Sequence, residues 1–195
     1  MTIEQPAPVF ATTKPSTGGP MSKLANHDSL TGLLCRSAFE IDKNSPAFLN
    51  QVSAVFLIDF DRFSHINRDH GRAIGDFVLA MSADRLASLS YDVEHVCYRY
   101  EGDRFIQLLL SDKPLNPSLL ESIAKEIQSQ LQRGIRLSDR DIELSCTVSV
   151  AERKDDVPLN TLLTEALLYS AELKYQGPGQ VHILSSGGEA ESQVS

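Results

Sequence analysis

The chain has no apolar run approaching the length of a membrane span. Its opening residues carry neither a basic n-region nor an apolar h-region, so no secretory signal is expected. Cysteine is scarce: Cys35, Cys97 and Cys146 are the only three, and they lie far apart. An odd, scattered set makes neither a disulfide framework nor a zinc spacing, and it fits a reducing cytosol, so a cytoplasmic location is expected. Positive charge is also short, with 18 Lys and Arg against 26 Asp and Glu and a net charge of -8. Non-specific nucleic-acid binding needs a basic surface to displace counterions, and this balance argues against it. A single nucleotide is not excluded, because its binding depends on local charge.

At 195 residues the chain suits one domain with unstructured flanks. Residues 1–22, rich in Pro, Thr, Ser and Gly, read as a disordered leader, and residues 185–195 as a disordered tail. Between them, residues 23–184 alternate between two periodicities. Residues 36–50 read as a helix, and 54–58 as a short apolar strand buried on both faces. A helix is expected over 74–90, then two strands, 95–100 and 105–110, joined through Glu101, Gly102 and Asp103 as a hairpin. A helix over 116–133 has Pro117 in its first turn, where the missing N–H costs little. A strand at 143–150, a helix at 158–175 and a last strand at 181–184 complete the order.

The expected fold is therefore α+β and palm-like. It has a mostly antiparallel, five-stranded sheet with a β-α-β-β-α-β core flanked by helices. The strand–helix–strand crossover makes its two strands parallel, and the hairpin partner fits between them, antiparallel to both. The end of the first strand, at Asp59, and the hairpin turn, at Asp103, then lie on one sheet edge. Two carboxylates there, followed by a loop running through Phe60 to Phe63 into a helix, suit Mg²⁺ and a phosphate chain. The same residues could equally cap turns, and spacing alone leaves both readings open.

Six segments in order bear on the choice. Asp28-Ser29-Leu30-Thr31-Gly32-Leu33 resembles the DxLTGL opening of the GGDEF (diguanylate cyclase) family, with Arg36 at its following arginine. Residues 58–67 resemble the family's D-x-D-x-F-K-x-I-N segment, and 71–76 its G-H-x-x-G-D. Arg99-Tyr100-Glu101-Gly102-Asp103-Arg104-Phe105 stands at the signature R-[YF]-G-G-[DE]-E-F. Residues 147–150 resemble T-x-S-[IV], and Lys174-Tyr175-Gln176-Gly177 resembles K-x-x-G. Each is weak alone; together they span nearly all of residues 26–184.

Family enzymes condense two GTP molecules into cyclic di-GMP across a homodimer. The resemblance implies Asp59, the Phe60 carbonyl and Asp103 as metal ligands, with Mg²⁺ expected only if GTP is bound. It implies Asn67 and Asp76 at the guanine edge, Phe63 in the nucleotide loop and Lys174 at phosphate. The departures are as telling. Glu101 places bulk where the family lets backbone approach the nucleotide. Arg104 replaces an acid by a base, and a cation about 4–6 Å from a metal costs a few kcal/mol at an effective dielectric near 20. Ser64, Arg72, Leu167 and Pro178 replace a lysine, a histidine, an aspartate and an arginine. The upstream R-x-x-D of the family's inhibitory site is here Asp92 and His95, so cyclic di-GMP is not expected to bind there.

The resemblance with these departures implies a degenerate GGDEF module, expected to act through protein contacts and weak GTP binding. The alternatives are an active cyclase that tolerates the altered signature and an adaptor that binds no nucleotide. About two dozen residues precede DxLTGL, too few for a sensory domain, so a separate protein partner is expected. His65, His70 and His95 are expected on a solvated surface. Arg62, Arg68, Arg72 and Arg104 have two readings, a gathering at the site edge that attracts an anion or a solvated face, and the solvated face is favoured. An ion pair between Arg99 and Asp28 is expected to hold the N-terminal turn. Phe39, Phe48, Phe56, Phe63, Phe77 and Phe105 are expected in the core.

Overall fold

A computed structural model describes residues 26–137, 140–153 and 157–184. The expected leader and tail lie outside the described residues.

The architecture follows from one strand. β2 (Val52–Phe60) is buried at every position, so both of its faces must be covered. It pairs antiparallel with β4 (Arg104–Leu110) on one side and β7 (Cys146–Glu152) on the other. β3 (Glu94–Glu101) pairs antiparallel with β4, which therefore lies between the parallel strands β2 and β3 as the hairpin argument requires. β1 (Leu34–Cys35) adds in parallel to β3, and β8 (Val181–Leu184) adds in parallel to β7. The sheet has six strands in the order β1-β3-β4-β2-β7-β8, one more than the sequence suggests. The extra strand, β1, has only two residues, too few for a period-2 pattern to register. A small separate ribbon pairs β5 (Ile135–Arg136) with β6 (Asp141–Ile142).

Alternation along β2 divides the core. Ala54, Phe56, Ile58 and Phe60 face one cluster, while Val55 and Leu57 face the other. The first is roofed by α4 (Arg72–Ala87) and α5 (Pro117–Leu131), the second by α1 (Arg36–Asp42) and α6 (Leu159–Gln176). In α5, Leu120, Ile123, Ala124, Ile127 and Leu131 are buried at helical spacing. The helix is started by Pro117 and by Asn116, whose side chain accepts from the Ser118 amide at 3.0 Å. Beneath α1, Tyr98 is fully buried against Phe39, with ring centroids 5.3 Å apart, and its hydroxyl donates to Asp42 at 2.7 Å.

Several expectations change here. The helix expected over 36–50 breaks at Ser45, which is extended ahead of Pro46, leaving a short α2 (Pro46–Leu49). The helix expected after the loop through Phe60 to Phe63 is present as α3 (Phe63–His70), ended by Gly71 at φ 86°. Phe77 is 44% exposed and is not a core residue, because it falls on the outer face of α4. His95 is half-buried and packs on Tyr91, with centroids 5.0 Å apart, so it is not a solvated histidine. His70 is also partly covered, whereas His65 is exposed. No helix among the described residues is long and apolar enough to cross a membrane.

Candidate functional site

The site forms where β2 ends. Odd positions of β2 face α6, and Asp59 follows that alternation, reaching the α6 side with only 3% of its surface exposed. A carboxylate this deep needs partners, since an unpaired buried charge is expensive. Lys174, in the last turn of α6, donates to Asp59 Oδ1 at 2.7 Å. Arg104 stands directly across β4 from Asp59 in the strand register and donates through Nε to Oδ2 at 3.1 Å. Ser170, one turn before Lys174, adds its hydroxyl at 3.3 Å. Lys174 also donates to the Phe60 carbonyl at 2.9 Å.

Asp103 follows in the turn. Its carbonyl accepts from the Phe60 amide at 3.4 Å, which joins the hairpin to the end of β2. Burial, then the charge of Asp59, pushes its carboxyl above the ordinary aspartate value. The topology thus brings Asp59 and Asp103 to one edge across more than forty positions of sequence. Of the four arginines, Arg104 stands at the site edge on Asp59, whereas Arg62, Arg68 and Arg72 are exposed.

The rest of the signature forms the turn. Gly102 takes φ 57°, a conformation that L side chains rarely adopt. Arg99 donates to the Gly102 carbonyl, lies 5.4 Å from the centroid of the buried Phe105 ring and comes within 3.8 Å of Asp28. Asp28 in turn accepts from the Thr31 amide and hydroxyl at 2.9 and 2.7 Å, so this ion pair fixes the N-terminal turn. Glu101 is exposed, 3.5 Å from Arg36, whose guanidinium lies over Tyr100.

The guanine-edge candidates lie on adjacent helices. Asn67 on α3 packs on α4 where Gly75 leaves room: a Cβ there would stand 1.9 Å from Asn67 Oδ1. That Oδ1 is buried and makes no hydrogen bond among the described residues. Asp76, the next residue of α4, is half-buried, and Phe63 is buried at the start of α3.

Sequence reasoning missed Asp61. Its carboxylate accepts from Ser145 Oγ at 2.7 Å, Thr147 Oγ1 at 2.9 Å and the Gly179 amide at 2.8 Å. These bonds anchor the loop after β2 to β7 and to the turn before β8. The second Asp of the D-x-D segment was the available signal. Ser170 gave none, because a lone serine in a helix has no distinctive pattern.

Asp59, Asp103 and the Phe60 carbonyl are oxygen donors of the kind Mg²⁺ takes. Their charge does not fit it. Lys174 and Arg104 both pair with Asp59, and Lys174 also occupies the Phe60 carbonyl. Among the described residues no group of three or more His, Cys, Asp or Glu is placed to hold a metal.

The family model described as "Diguanylate cyclase, GGDEF domain" matches residues 25–180. The chain belongs to the GGDEF domain family. It is 30% identical over 156 residues to the diguanylate cyclase VdcA of Vibrio cholerae, covering 78% of this chain and 45% of VdcA. It is also 30% identical over 168 residues to the cyclic di-GMP phosphodiesterase PdeB of Shewanella oneidensis, covering 84% of this chain and 19% of PdeB. It thus spans less than half the length of either relative. The GGDEF domain of TpbB (YfiN) from Pseudomonas aeruginosa superposes with a TM-score of 0.68 at 32% identity, over 82% of this chain and 94% of that one. The GGDEF domain of DgcB from Caulobacter crescentus, in complex with c-di-GMP, shares the fold at a TM-score of 0.72 and 20% identity, over 82% and 95%. The relatives it matches thus include proteins named as diguanylate cyclases and as cyclic di-GMP phosphodiesterases.

Two predictions follow from this geometry. Gly75→Ala costs about 1–3 kcal/mol by overpacking against Asn67 in the parent but is neutral or stabilising in an Asn67→Ala background, read by urea unfolding. Asp103→Asn raises the melting temperature at pH 7. Folding raises the Asp103 pKa, so its charged form opposes folding at neutral pH, and that cost is relieved as pH falls. The gain therefore disappears below the ordinary aspartate range, near about 3.9. A variant less stable than the parent at pH 7 would contradict the burial argument.

Proposed function

We propose that this GGDEF domain is catalytically degenerate and works as a signalling module through protein contacts, with GTP as a weak ligand. The observation that carries this reading is the Arg104–Asp59 ion pair at 3.1 Å. It puts a base on the carboxylate that the family resemblance assigns to the metal. Phosphoryl chemistry depends on cations neutralising developing charge at fixed positions. Here Asp59 is already paired with two tethered cations, which a metal must displace to reach it.

Retention of the base-edge residues supports nucleotide binding without turnover. Asn67 carries a buried acceptor with no partner among the described residues, beside Asp76. An amide and a carboxylate together match the donors and acceptor of a guanine edge. Partner binding has a precedent within the fold: a crystal structure of the diguanylate cyclase SiaD in complex with its activator SiaC superposes with a TM-score of 0.71 at 19% identity. We propose that a separate protein, or a second copy of this chain, is the partner.

Incubation with GTP and Mg²⁺, followed by chromatography, is expected to yield no cyclic di-GMP. Product that forms with the parent and vanishes in Asp59→Ala would show an active cyclase and reject this reading.

A further inference from the structure

We propose that Arg104 takes the place of the divalent cation, so that this pocket binds the phosphate chain of a guanine nucleotide without a metal ion. This rests on the nucleotide-binding part of the function proposed above. It starts from the misfit between the donor atoms at the end of β2 and the charge around them.

Mg²⁺ reaching this edge would have to break both ion pairs of Asp59 and take the Phe60 carbonyl from Lys174. It would then share one carboxylate with two cations, whose repulsion is strong in a partly buried site. An anion meets the opposite situation. Arg104 uses one N–H, from Nε, on Asp59, and its terminal nitrogens make no hydrogen bond to any described residue. The side chain is 41% exposed, so those nitrogens are within reach of a ligand. A guanidinium offers a planar fork of N–H donors that matches two phosphate oxygens, and it carries its charge at every working pH.

Asp59 has a definite role in this arrangement. Buried beneath Arg104 and Lys174, it aims both cations as a second-layer carboxylate orients a ligand. Lys174 spends two of its three donors on Asp59 and Phe60. The loop continues the anion-accepting surface. Arg62 is held at φ 53°, and no side chain caps the N-terminus of α3. The first-turn amides of a helix lack intrahelical acceptors and favour phosphate. Asn67, on the same helix, carries a buried side-chain oxygen with no hydrogen-bond partner among the described residues, next to the base-edge candidate Asp76. Base recognition and phosphate recognition thus sit on one short stretch, 59–67, closed by Arg104 and Lys174.

The test is calorimetric titration of GTP into the full chain, once in excess EDTA and once in Mg²⁺. The two dissociation constants are expected to agree within about threefold, and Arg104→Gln to weaken binding in EDTA about tenfold or more. Arg104→Glu is expected to abolish binding in EDTA and make any remaining affinity depend on Mg²⁺. Arg104→Lys retains a cation and is expected to keep measurable binding in EDTA, which separates lost charge from a disturbed fold. Thermal unfolding without nucleotide checks that each variant is folded. Binding that requires Mg²⁺ in the parent, or that is unaffected by Arg104→Gln, would overturn the proposal. Absence of GTP binding in both buffers would overturn it too, while leaving the non-catalytic reading standing. Cyclic di-GMP in the Mg²⁺ sample would instead sink that reading, so the two failures are distinguishable.

Discussion

The structure turns on one buried carboxylate. Asp59 is the next-to-last residue of a nine-residue strand with no exposed position, and at 3% exposure it cannot rely on water to stabilise its charge. Lys174 comes from α6, Arg104 from β4 and Ser170 from α6, so satisfying Asp59 ties the last helix and the signature hairpin to the central strand. Neighbouring Asp61 does the same for β7 and the turn before β8. Removing one partner of such a cluster leaves an uncompensated charge, and this penalty, more than the attraction itself, keeps the edge in one arrangement.

The same atoms that satisfy the fold are those a metal would need. A divalent cation with phosphate oxygens is commonly held by one or two carboxylates, and the pocket retains two. What differs is the charge around them. An acid at position 104 would leave Asp59 and Asp103 with an excess of negative charge to attract a cation. With arginine there, the excess is gone and the guanidinium lies on the carboxylate itself. Membership of the family supplies the scaffold, and in the function we propose one side chain redirects the chemistry it hosts.

Much of the frame was legible because it follows from periodicity. β2 reads as a buried strand from its continuous apolar run, and α5 from Leu120, Ile123, Ile127 and Leu131 with Pro117 at its start. Asp59 and Asp103 could be placed together because hairpin and crossover rules fix which strand ends share an edge. The features that could not be read depend on tertiary context. Phe77 is apolar yet faces outward on α4, since its helix already buries Val78, Leu79, Ala83 and Leu86. β1 is too short to carry a pattern, and Ser45 breaks a helix only because Pro46 follows. Its position in the signature puts Arg104 near the acidic edge, but its direct pairing with Asp59 could not be read, because a sequence shows its charge and not the carboxylate opposite it across the sheet.

The account's central claim is that tethered cations, not a metal, neutralise the acidic edge. A crystal structure grown with GTP and Mn²⁺, with anomalous data collected for manganese, tests it directly. The account predicts no manganese peak between Asp59 and Asp103, with Arg104 and Lys174 still on Asp59. A manganese ion coordinated by Asp59, the Phe60 carbonyl and Asp103, with Arg104 swung away, would contradict it.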